Sequence, residues 1–324
     1  MMKCGSSNAI MSSAAAHAAV VWFPTPLKNS RDRGLFLSPE RLEAPIPMRT
    51  RGTAIAPLIS MSATVLAAID LGPSSRRVLA HAAGFAQLLS ARLEVLYVNG
   101  DASPAARQRV VDFCNHSGPY ELDPDGTEIV VRAGGVSDTI YREAERANAQ
   151  LVVMGSRGLT SVARLLLGST SQAVLENAAA PVLLVPPVDL DIINIGDRVR
   201  LSCGPVLAAV DLAESTDHQL SMASRLAHIA GQPLVLMTVA PARLGNQEAV
   251  AMLRERTHDL EAIAPRALIV RRGEVAEQIS RCAIAEGSGL VVMGVRSTRR
   301  GQPGTIASAV LATKSAFVLA VPSR

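Results

Sequence analysis

Short aliphatic runs alternate with helix-like stretches along most of this chain. The runs fall at Val65–Ile69, Leu93–Val98, Ile129–Val131, Leu151–Met154 and Val182–Val185. Between them lie Arg76–Ser90, Ala105–Phe113, Val136–Asn148 and Ser169–Ala179, each with the spacing of a helix. Strands covered on both faces read as aliphatic runs. Strands alternating with helices predict right-handed βαβ crossovers and a parallel sheet. Helix-start residues stand where this reading needs them, Ser74 and Ser75 before the first helix and Ser137-Asp138 at the third.

The order then repeats. A second set of runs lies at Val206–Val210, Leu234–Val239, Leu268–Val270, Leu290–Met293 and Phe317–Val321. Asp70 and Asp211 are 141 residues apart, as are Val98 and Val239, while Gly155 and Gly294 are 139 apart. The offset drops to 136 for Gly168 with Gly304 and for Pro186 with Pro322, which places a three-residue deletion between the glycines of the second loop. A repeat of this length is a tandem duplication of a whole domain rather than a solenoid. The expected division is a first domain over 61–187, a polar and irregular linker over 188–203, and a second domain over 204–324. Residues 1–60 show no sustained period and carry Pro24, Pro26, Pro39, Pro45 and Pro47. Their few acids and several arginines fit either a targeting peptide or, as expected here, a disordered extension outside the fold, and Met61 precedes the first strand as a start residue would.

Composition narrows the picture. Of 324 residues 48% are hydrophobic but only 3% aromatic, so two cores must be assembled from Ala, Val, Leu and Ile. Net charge is +4, without the basic stripe and interleaved aromatics of a nucleic-acid surface. Cys4, Cys114, Cys203 and Cys282 lie far apart and form no C-x-x-C pair, as expected of ordinary thiols in a reducing cytoplasm. No window reaches the ~18 apolar residues of a membrane span. The six histidines are scattered, and His81 and His228, mid-helix, read as surface or satisfied positions.

The chemistry concentrates after the fourth run. Gly155-Ser156-Arg157-Gly158 ends a strand, nine residues follow, and Gly168-Ser169-Thr170-Ser171 opens a helix. Glycines at a strand's carboxyl end let amides turn inward as an anion nest. A helix N-terminus adds free N–H groups and a favourable dipole. Asp70 ends the first strand, five residues before Ser75. It either accepts a hydrogen bond from an adenine amino group or a ribose hydroxyl at the switch point of the sheet, or caps the turn that follows.

Taken together, these segments resemble the universal stress protein family. They are Ala67-Ala68-Ile69-Asp70 with Ser75, Arg132-Ala133-Gly134 with Ile140, Val152–Gly158, Leu165–Ser171 with Val174, and Pro181–Pro186. The match covers Thr64–Pro186 well and Pro205–Pro322 more loosely. It implies two tandem doubly wound α/β domains, each a five-stranded parallel sheet of order 3-2-1-4-5 of the adenine-nucleotide alpha hydrolase kind. In the ATP-binding branch of the family it also implies a bound ATP, with or without Mg²⁺. By that analogy Ala68, Asp70 and Val98 hold adenine and ribose. Gly155, Ser156, Arg157, Gly158, Thr160, Gly168, Ser169, Thr170 and Ser171 hold the phosphates. The resemblance also implies pairing through the last strands of the two domains, within one chain or between chains. Gln150 stands where the family usually has Asp.

The second half keeps Asp211, Gly294, Gly304 and Thr305, but Ser297 replaces the second glycine of the loop. Arg296 can meet phosphate or belong to a solvated basic loop, so a second site is expected to be weaker. There is no G-x-x-x-x-G-K-[ST] loop, and neither H-x-G-H nor S-G-G-x-D-S occurs. The function classes left are an ATP-binding regulatory protein of the stress response, an ATP-independent interaction module, or at most a slow ATP hydrolase.

Overall fold

The computed structural model describes residues 19–22, 63–116, 126–157, 167–195, 199–258, 260, 262–295, 305–313 and 316–322. The first half runs β1 (Ala19–Trp22), β2 (Thr64–Ile69), α1 (Ser75–Leu89), β3 (Arg92–Asn99), α2 (Pro104–Asn115), β4 (Thr127–Ala133), α3 (Val136–Arg146), β5 (Ala149–Gly155), α4 (Ser169–Glu176) and β6 (Val182–Val185). A short hairpin follows, β7 (Ile193–Ile195) and β8 (Val199–Leu201). The second half is β9 (Val206–Ala209), α5 (Asp217–Ala230), β10 (Leu234–Val239), α6 (Asn246–Glu255), β11 (Ala267–Arg271), α7 (Val275–Glu286), β12 (Leu290–Val295), α8 (Thr305–Ala312) and β13 (Phe317–Pro322).

The first helix of each half ends by the same device. Ser90 closes α1 in the left-handed region at φ 50°, and Gly231, 141 residues on, closes α5 at φ 63°. The serine carries a strain of about 1–2 kcal/mol that the glycine escapes. Helix starts differ from the sequence reading. Ser74 occupies the cap of α1 without a capping side-chain bond. Gly135, not Ser137, precedes α3, leaving Asp138 in the first turn, where it meets the positive end of the helix dipole.

Eleven strands form one sheet in the order β1-β11-β10-β9-β12-β13-β6-β5-β2-β3-β4. Each half therefore has the order 3-2-1-4-5, its neighbouring strands parallel. The halves join where β13 runs antiparallel to β6, with Val318 opposite Leu184 and Ala320 opposite Val182. Side chains alternate across this seam. Leu183 and Leu319 enter one core layer, Leu184 and Val318 the other, and both layers run through the two halves without a break.

Two expectations change. Ala19–Trp22 pairs antiparallel with β11 and extends the sheet, so these four of the first sixty residues do take part in the fold. The linker is also ordered. Ile193 pairs with Leu201 and Ile195 with Val199, and Ile192, Ile193, Leu201 and Cys203 are buried against α1 and its surroundings. The alternation of Ile193, Ile195, Val199 and Leu201 about Gly196-Asp197 was the hairpin signal.

The hairpin docks on two residues of α1. Gly84 leaves the gap that Ile193 fills, and a Cβ there would stand 2.3 Å from Ile193 Cγ2. His81, 2% exposed, donates from Nδ1 to the Arg77 carbonyl (2.7 Å) and accepts the Ile192 N–H at Nε2 (3.3 Å). Those contacts select the neutral tautomer with its hydrogen on Nδ1. The ring lies 4.6 Å from that of Phe317, so this histidine ties the first domain, the linker and the second domain together. Burial holds its pKa below the ordinary value, against the pull of Asp191 at 3.8 Å. Burial likewise raises the Cys114, Cys203 and Cys282 thiols to about 11, 12 and 11, which keeps them protonated.

Gly84→Ala gains helix propensity worth up to about 1 kcal/mol. The methyl group must nevertheless displace a stiff β-branched side chain, at a cost of roughly 1–3 kcal/mol. Urea unfolding is expected to show net destabilisation that Gly84→Ala/Ile193→Ala relieves. A depressed histidine pKa stabilises the fold above the unfolded value of ~6.5, and that contribution is lost as pH falls. Melting temperature is therefore expected to drop more steeply from pH 7 to pH 5 in the wild type than in His81→Gln, which keeps an acceptor for Ile192 but does not titrate.

Candidate functional site

β2 and β5 are parallel neighbours whose chain connections leave in opposite directions, so a crevice opens beyond their carboxyl ends. A cavity of about 210 Å³ lies there. Whole small-ligand sites run to about 300–1,000 Å³, so the cavity suits the part of a ligand that enters between the strands. Seven of the residues expected at a site line it, namely Ala68, Asp70, Val98, Gly155, Arg157, Thr170 and Ser171. Gly158 and Thr160 lie outside the described residues.

The carboxylate of Asp70 anchors the β2–α1 turn. Its Oδ1 accepts the Gly72 N–H (2.9 Å) and the Ser75 hydroxyl (2.7 Å), while the Asp70 N–H donates to Ser75 Oγ (3.1 Å). The turn carries Leu71 at φ 60°. The group that caps the turn thus also forms part of the cleft wall.

At the phosphate-loop positions the roles are divided. Ser156 is fully buried and is not among the residues that line the cavity. Its N–H donates to Val185 and its carbonyl accepts the Gly168 N–H at 2.8 Å, while its Oγ is buried without a partner. The Gly168 amide is thereby spent on closing the loop and is not an anion donor. Ser171 Oγ donates to the Gly155 carbonyl (2.9 Å), fastening the start of α4 to the end of β5. The first-turn amides of Ser169, Thr170 and Ser171 have no acceptor within the helix. Thr170 brings that helix end to the cleft. Gly155 has an ordinary φ, but a Cβ on it would stand 3.0 Å from the Arg157 carbonyl, so glycine is needed for close approach of the backbone.

The apolar walls escaped the sequence reading. Val78, Leu96, Val136, Ile140 and Met154 line the cavity, and Val136 is 45% exposed at its mouth. Val78 follows Ser74 and Ser75 by about one helical turn, which was the available signal. An ion-pair network holds α3, and with it Val136 and Ile140, against the sheet. Glu143 accepts from Arg132 (2.8 Å) and from Arg146, and Arg146 also reaches Glu94 (2.9 Å). Burial pushes the Glu94 carboxyl up to about 7.

In the second half Asp211 again caps its turn, accepting the Ala213 N–H at 3.0 Å. Thr216 replaces Ser75, and its Oγ1 is buried without a partner. α8 begins at Thr305, 136 residues after Ser169, so Ile306 and Ala307 replace Thr170 and Ser171. Gln219 fills the space beside Gly294. Arg296 and Gly304 lie outside the described residues.

Comparison with known proteins agrees with this architecture. The model of the universal stress protein family matches residues 119–186. A universal stress protein of Thermus aquaticus is 32% identical over 136 residues, 39% of this chain and 99% of that one. The chain belongs to the universal stress protein family. Universal stress protein G of Salmonella typhimurium is 38% identical over 68 residues, 21% of this chain and 47% of that protein, so the chain spans about half the length of such relatives. Among solved structures, a universal stress protein from Archaeoglobus fulgidus aligns with a TM-score of 0.61 over 81% of this chain and 98% of that one. At 21% identity it bears on the fold alone. Among the described residues of this family member, no helix is long and apolar enough to cross a membrane.

Gly155→Ala is expected to push the Arg157 carbonyl outward and loosen the start of α4. Amide hydrogen exchange should quicken at Gly168 and Ser156 while the far-UV circular dichroism stays unchanged.

Proposed function

We propose that the chain is a nucleotide-dependent regulatory protein of the stress response that holds ATP, with or without Mg²⁺, in the first crevice. The observation that carries this reading is the convergence in one cleft of an apolar slot, an acidic acceptor and a helix N-terminus. The slot between Val78, Val136 and Ile140 suits a flat base. Asp70 lies where a ribose hydroxyl or amino group can donate. The amides at the start of α4, with the Thr170 hydroxyl, offer donors and a favourable dipole to phosphate. The buried, protonated cysteines suit a cytoplasmic setting. Because β6 and β13 pair within the chain, no second copy is needed to cover those edges.

Calorimetric titration of ATP into Thr170→Asp tests the reading. A carboxylate in the first turn favours the helix but repels phosphate. Affinity is expected to fall at least tenfold, about 1.4 kcal/mol, with unchanged circular dichroism. Ile306→Asp, at the matching place in the second half, is expected to leave ATP affinity unaltered. A wild-type chain that binds no nucleotide would instead support an ATP-independent interaction module.

A further inference from the structure

Val78 and Gln219 each stand eight residues beyond the aspartate that follows the first strand of their half. They also occupy the same place in space. A Cβ built on Gly155 would lie 3.9 Å from Val78 Cγ2, and one built on Gly294 would lie 3.3 Å from Gln219 Oε1. Val78 is an apolar wall of the open cleft. Gln219, in contrast, reaches across the second crevice. It is 4% exposed, and its Nε2 donates to the carbonyls of Ala209 (2.8 Å) and Val292 (3.1 Å). Those carbonyls belong to β9 and β12, the adjacent parallel strands whose counterparts in the first half are β2 and β5.

A primary carboxamide aimed at two carbonyls offers the same pair of N–H donors as the exocyclic amino group of a purine. We propose that Gln219 is a built-in plug of the second crevice, satisfying the groups a base would otherwise meet, so that the chain holds one nucleotide and holds it in the first half. The stoichiometry rests on the ATP reading above, whereas the plug rests on the contacts of Gln219 itself. A ligand entering the second crevice must break two buried hydrogen bonds and leave their carbonyls to be satisfied again. Gly294 then has a role that needs no phosphate, since any larger residue would press on the Gln219 carboxamide. The loss of hydroxyls at Ile306 and Ala307 is independent of the plug and points the same way.

Exchanging the two residues tests the proposal in the full-length chain, by calorimetric titration with ATP and with adenosine, which needs no phosphate loop. Val78→Gln places a carboxamide within reach of the Ala68 and Val153 carbonyls. It is expected to weaken both ligands tenfold or more at unchanged circular dichroism. Gln219→Val is expected to keep the first-site affinity and to raise the adenosine stoichiometry from one to two. A wild type that binds two equivalents overturns the proposal. So does a Val78→Gln chain with wild-type affinity, or a folded Gln219→Val chain that still binds a single equivalent. Val78→Gln carries the test alone if Gln219→Val does not fold. If the wild type binds neither ligand, the ATP reading fails, and the plug is judged by nuclear magnetic resonance of the Gln219 side-chain amide. Slow solvent exchange of its protons supports the plug, and exchange at the rate of a free glutamine overturns it.

Discussion

β6 and β13 meet antiparallel through Val182–Leu184 and Val318–Ala320, and this seam turns two small domains into one molecule. Each strand is aliphatic and, alone, would present a row of unpaired backbone groups at an edge. Pairing them satisfies the backbone and, in the same step, continues both core layers from one half into the other. The contact of His81 with Phe317 crosses from α1 to the start of β13, beside the hairpin that docks on the same helix. The repeat is thus pseudo-twofold inside a single chain.

The strand order repeats in the two halves, and their corresponding crevices differ. The first keeps the Asp70–Ser75 link, an apolar slot and a helix N-terminus facing one cavity. The second keeps its turn-capping aspartate but closes the gap between strands with a hydrogen-bonded glutamine. Fold and site are therefore under separate constraints. Asp211 caps the turn that leads to α5 beside a crevice filled by Gln219, so an aspartate at the end of the first strand is weak evidence of a ligand unless its surroundings are known.

Much of the fold was legible because parallel strands buried on both faces leave continuous aliphatic runs, and the runs at Val65–Ile69 and Leu290–Met293 became β2 and β12 with little change in bounds. The linker was misread because its alternating residues are sparse and mixed with Asp189, Asp191 and Arg200. The contribution of Ala19–Trp22 was missed because four apolar residues carry no period, and only the open edge of β11 makes a strand of them. Spacing pointed to glycines and hydroxyls of which Gly155, Thr170 and Ser171 line the cavity, but it could not tell what each backbone and hydroxyl group bonds to. Ser156 and Gly168 spend their backbone groups on each other, and Ser171 spends its hydroxyl on Gly155.

The order of elements, its repetition in two halves and the glycine that ends β5 were determined by the sequence itself. They depend on local periodicity and on residues with unusual backbone freedom, and both are visible in one dimension. Which edges pair, which amides remain for a ligand and which crevice is open were decided only in the tertiary structure. Val78 and Gln219 occupy matching helical positions and differ by one side chain. What separates an open wall from a plug is whether two strand carbonyls, distant in sequence, come within 2.8 and 3.1 Å of the same nitrogen.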